Sequence, residues 1–98
     1  MTRQSIDING TSLQGQITAN YDDLVRAFGA PLAGDDYKTD AEWAVQVNGT
    51  VATVYNWKNG PAYGGPDGTP VERIARWNIG GRSYAAVELV ERLLAGMR

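Results

Sequence analysis

The sequence predicts an α+β fold: an antiparallel β-sheet with two α-helices packed on one face. Three observations carry that expectation. Two Asn-Gly pairs, Asn9-Gly10 and Asn48-Gly49, each sit between runs that alternate or are rich in β-branched residues, the pattern of a tight hairpin. Two other stretches repeat apolar residues at helical spacing. The resulting order is hairpin, helix, hairpin, strand, helix. It lacks the alternation of parallel βαβ units and so argues for an antiparallel sheet.

In "SIDINGTSLQG", pairing across Asn9-Gly10 places Ile6, Ile8 and Leu13 on one face, with a second strand that Gly15 weakens. "TANYDDLVRAFGAP" reads as a short helix. Thr18 or Asn20 caps it, Asp22 and Asp23 suit the positive end of its dipole, and Tyr21, Leu24, Val25 and Phe28 form its stripe. Gly29 and Pro31 stop it. "EWAVQVNGTVATVYNW" is the clearest hairpin. A two-residue turn sets Val47 against Thr50, Val45 against Ala52 and Trp43 against Val54 on an apolar face. The other face carries Glu42, Ala44, Gln46, Val51, Thr53, Tyr55 and Trp57, a mixed surface suited to a partner.

A loop with many glycines and prolines, "KNGPAYGGPDGTP", follows and is expected to lack regular structure. "VERIARWNIGG" reads as a strand with Ile74 on one face and Ala75, Trp77 and Ile79 on the other. "RSYAAVELVERLLAGMR" reads as a second helix, capped by Ser83, whose buried stripe is Ala86, Val87, Val90, Leu93 and Leu94. Leu89 falls off that stripe and offers an edge for a second copy, so a homo-oligomer is one expectation.

The 98 residues suit a single domain, residues 1–98, with 43% hydrophobic and 20% charged residues. The absence of cysteine and histidine excludes disulfides, thiolate nucleophiles, imidazole acid–base chemistry and zinc sites built on either ligand. Net charge is −2. Residues 1–70 carry eight acids and four bases, whereas residues 71–98 carry five arginines and three glutamates. That balance suits protein contacts better than a grip on nucleic acid. No apolar run approaches a membrane span, and "MTRQSIDING" has no signal-peptide pattern. The expected address is the cytoplasm.

The sequence offers four candidate sites. The carboxylates Asp35, Asp36, Asp40 and Glu42 lack the spacing of a calcium loop and enclose Lys38, so a solvated loop is the simpler reading and no metal is expected. The same acids with Asp22 and Asp23 form no recognisable catalytic pair, and Ser, Tyr and Lys form no ordered constellation, so no enzyme activity and no cofactor are expected. Gly80, Gly81, Arg82 and Ser83 precede a helix and could cradle an anion, although the lysine and spacing of a P-loop are missing. Finally, Tyr55, Trp57, Lys58 and Tyr63 cluster at a strand end and in the loop beyond it, where aromatics anchor interfaces. Trp43 and Trp77 are instead expected in the core.

The segments "GTSLQG", "YDDLVRAFGAP", "YKTDAEW" and "GTVATVYNWKNG", in that order, resemble a family of small bacteriophage- and prophage-encoded proteins with no assigned activity. The resemblance implies a setting in which small accessory proteins bind and alter host proteins, inside the host cell. The expectation is therefore a non-catalytic binding protein with a host protein as partner, gripping it through Tyr55, Trp57, Lys58 and Tyr63. The alternative is a protein that sequesters a phosphorylated small molecule or nucleotide through Gly80, Gly81, Arg82 and Ser83.

Overall fold

A computed structural model describes residues 6–33 and 39–97. The chain runs β1 (Ser12–Thr18), α1 (Tyr21–Phe28), β2 (Leu32–Ala33), β3 (Ala41–Val47), β4 (Thr50–Tyr55), a single helical turn α2 (Pro61–Gly64), β5 (Arg76–Gly81) and α3 (Ala85–Met97). The strands form one antiparallel sheet in the order β1-β5-β4-β3-β2, with β2 contributing only two residues. Helix α3 lies across β1, β4 and β5, while α1 packs on α3 and β3. This is the α+β arrangement that the element order predicts.

The β3–β4 hairpin has the expected register, with Val47 opposite Thr50, Val45 opposite Ala52 and Trp43 opposite Val54. Its turn residues, Asn48 and Gly49, both take positive φ, at 51° and 83°. That conformation matches the right-handed twist of the paired strands. Asn20 caps α1, its side chain accepting a hydrogen bond from the Asp23 amide at 3.1 Å.

The core lies between the sheet and the two helices. Trp43 and Trp77 are fully buried and meet edge to face, 5.4 Å between centroids, with Tyr21 tilted against both. Each buried indole N–H is satisfied. Trp43 Nε1 donates to the Gly29 carbonyl at 2.7 Å, and Trp77 Nε1 to those of Ala19 and Ile74 at 3.1 Å. Such aromatic pairs contribute about 1 kcal/mol beyond the area they bury.

Three sequence expectations are corrected. Asn9-Gly10 forms a turn, but residues 6–11 form no strand, and β1 pairs with β5 instead of folding back on the N-terminus. Leu13 is therefore 58% exposed. A bulge between Leu13 and Gly15 leaves Gln14 as the extra residue, its side chain donating to the Gly81 carbonyl. The fifth strand begins only at Arg76, because Val71–Arg73 form a 3-10 turn that buries Ile74. Leu89 is 4% exposed and belongs to the core, since α3 is covered by the sheet on one side and α1 on another. It offers no edge to a second copy.

Candidate functional site

The face of the sheet turned away from the helices is polar along a continuous row. The pairings Glu42–Tyr55, Tyr55–Asn78 and Asn78–Gln16 run one residue per strand across β3, β4, β5 and β1. With strands about 4.8 Å apart, the row spans roughly 14 Å. Trp57 follows Tyr55 by two residues, and its ring stands nearly perpendicular to the Tyr55 ring, 6.5 Å between centroids. Unlike the other two tryptophans, Trp57 is 45% exposed.

Trp57 stands between two hollows. The first, of about 250 Å³, is lined by Thr11, Ser12, Thr39 and Thr53, together with Tyr55, Glu42 and Gly80. Burial pushes the Tyr55 phenol above its ordinary value of 10, and the Glu42 carboxylate pushes it in the same direction. The phenol therefore keeps its proton at neutral pH. It makes no hydrogen bond among the described residues and is placed to donate one into the hollow.

The second hollow, of about 350 Å³, is lined by Leu13, Gln16, Asn59, Arg76, Asn78 and the same Trp57. Arg76 Nε donates to Gln16 Oε1 at 2.9 Å, and Gln16 Nε2 donates to Asn78 Oδ1 at 2.8 Å. These polar residues were not singled out by the sequence. Their only local signal is alternation: Gln16, Arg76 and Asn78 flank the inward-facing Ile17, Trp77 and Ile79. The β1–β5 pairing brings them together.

The four aromatic-site residues resolve into two pairs. Tyr55 and Trp57 share the sheet face, while Lys58 Nζ lies 5.5 Å from the centroid of the Tyr63 ring in the loop. That loop is not structureless, contrary to expectation. It is built from α2 and a 3-10 turn at Gly65–Asp67, and it is tied back to residue 40. Asn56, 1% exposed, accepts hydrogen bonds from the amides of Asp40 and Ala41 and donates to Asp40 Oδ2 at 2.7 Å and to Asn59 Oδ1 at 3.1 Å. The other Asp40 oxygen accepts from the Ala62 amide at 2.8 Å. Gly60 and Gly68 press backbone on backbone at the base of the loop, where a Cβ on Gly68 would collide with the Gly60 carbonyl. The residue before Trp57 is thus among the most firmly held in the chain.

The glycine pair before α3 is placed differently from a phosphate cradle. Gly80 and Gly81 lie inside β5 and are buried, and a Cβ would meet Thr53 Oγ1 at Gly80 and the Ala86 methyl at Gly81. Arg82 donates to the carbonyls of Asp7 and Asn9 and so clamps the Asn9-Gly10 turn. Ser83 Oγ accepts from the Ala85 amide at the start of α3. Each of the four residues has a structural task here.

Of the acidic cluster, Asp35 and Asp36 lie outside the described residues, Asp40 holds the loop and Glu42 lines the first hollow. Among the described residues no three metal-ligating side chains are grouped, and no helix is long and apolar enough to cross a membrane. Comparison with protein-family models, with curated proteins and with solved structures returns no match.

Proposed function

We propose that this chain is a small non-catalytic binding protein that grips a protein partner through the Trp57 end of the sheet face turned away from its helices, with Trp57 as the anchor. In the setting implied by the phage-family resemblance, the partner is a host protein whose activity is modulated or blocked by contact. The observation that carries the reading is Trp57 itself. It is a large aromatic side chain, 45% exposed, rising between two polar hollows from a chain segment fixed by the buried Asn56. Tryptophan is enriched among interface hot spots, where truncation costs about 2 kcal/mol or more of binding. Tyr55 supports the same use, because a phenol held neutral serves as a hydrogen-bond donor and not as a base.

The test is capture from a bacterial host lysate by the tagged chain, with mass spectrometry of what is retained. The reading predicts one stoichiometric protein that is lost with Trp57→Ala while the variant stays folded. Capture unaffected by the substitution would place the interface elsewhere, and an unfolded variant would make Trp57 a structural residue.

A further inference from the structure

The second hollow has an uneven hydrogen-bonding character. Three carboxamides border it, and the carbonyl oxygen of each is already engaged inside the chain. Gln16 Oε1 accepts from Arg76, Asn78 Oδ1 from Gln16, and Asn59 Oδ1 from Asn56. What remains to face a ligand is almost entirely N–H: the amide groups of Asn59 and Asn78 and the outer fork of the Arg76 guanidinium. Arg76 is oriented through its Nε by a neutral partner and makes no ion pair among the described residues. A set of donors oriented by internal hydrogen bonds, around a cation with no ion pair among the described residues, recognises an acceptor that carries negative charge.

We propose that this hollow is a carboxylate-binding site, receiving an aspartate or glutamate side chain of the partner against Arg76, Asn59 and Asn78. The proposal rests on the protein-binding reading only for what carries the carboxylate. Among the described residues a single guanidinium lines the hollow, and one positive charge matches a monoanion. A phosphate dianion would call for more, and Lys58 is placed over Tyr63 instead. Leu13 and the Trp57 indole form the apolar wall, which lowers the local dielectric and strengthens the charged contact.

The experiment is an NMR titration of the ¹⁵N-labelled full chain with sodium acetate, beside sodium chloride at equal ionic strength. The side-chain N–H signals of Asn59, Asn78 and Arg76 Nε are expected to shift with acetate and saturate, on the millimolar scale usual for so small a ligand. Chloride is not expected to reproduce the shifts. Arg76→Gln, at an exposed position, is expected to weaken binding at least about tenfold without loss of fold. Shifts that fail to saturate, match those in chloride or survive Arg76→Gln would overturn the site. Tighter binding of inorganic phosphate than of acetate would overturn the assignment to a carboxylate. The two readings fail separately: saturable acetate binding in a chain that captures no protein would leave the hollow standing and remove the protein partner.

Discussion

Asn56 and Asp40 hold each other in both directions. The Asn56 side-chain oxygen Oδ1 accepts from the Asp40 backbone amide at 2.8 Å, and Nδ2 returns a hydrogen bond to the Asp40 carboxylate at 2.7 Å. The second carboxylate oxygen reaches the Ala62 amide, so one pair of side chains joins the start of β3, the end of β4 and the loop beyond. Trp57 and the loop tyrosine Tyr63 are both positioned from this junction.

Asn56→Ala would leave the buried Ala41 amide and the partly buried Asp40 amide without their acceptor and take one donor from the Asp40 carboxylate, at about 2–4 kcal/mol of stability. Asp40→Asn keeps the shape but turns a donor toward a donor, either Asn56 Nδ2 or the Ala62 amide, and is expected to cost about 1–3 kcal/mol. Urea unfolding measures both. Hydrogen exchange at the Ala62 amide should quicken in each variant, and unchanged exchange would show that the loop is held by something else.

The raised ionisation of Tyr55 predicts sensitivity to alkali. A phenol whose folded value lies above its unfolded value contributes stability that is present below about pH 10 and is lost as pH rises through the folded value. Tyr55→Phe should flatten that alkaline loss while leaving neutral-pH stability within about 0.5 kcal/mol, because the hydroxyl has no hydrogen-bond partner among the described residues. Glu42→Gln should lower the Tyr55 ionisation only partly, since burial is the larger cause. Absorbance titration of the tyrosinate band checks both.

Leu89 distinguishes core from oligomer edge. Buried under α1 and the sheet, it should cost about 2–5 kcal/mol when truncated to alanine. A variant that keeps its stability but changes its sedimentation would place Leu89 at a subunit contact instead.

Arg82→Ala removes two hydrogen bonds to the Asp7 and Asn9 carbonyls and a loose, exposed ion pair at 3.9 Å. The expected loss of global stability is about 1 kcal/mol or less. Exchange at the Thr11 amide, which donates to Ile8, should nonetheless quicken. No such local change would mean that the turn stands without its clamp.

Elements whose signals are local were legible in the sequence. The β3–β4 register followed from Asn48-Gly49, because a two-residue turn pins every later pair. Asn9-Gly10 misleads in the same respect: the turn is real, but the partner of β1 is β5, about sixty residues away, and nothing near residue 10 announces it. The loop after Lys58 read as structureless because its order is imposed by Asp40 and Asn56, upstream of its glycines and prolines. Trp57 and Tyr55 were legible as an aromatic pair at a strand end. The donor set of Gln16, Arg76 and Asn78 was not, since two strands distant in sequence must pair before it exists.

The most direct test of Trp57 as the contact residue is acrylamide quenching of tryptophan fluorescence, for the chain alone and in complex with the captured partner. Trp43 and Trp77 are fully buried, so nearly all quenching in the isolated chain should come from Trp57. Partner binding is predicted to abolish that accessible component and leave the shielded one unchanged. An accessible component that persists undiminished in the complex would contradict the assignment of Trp57 to the interface.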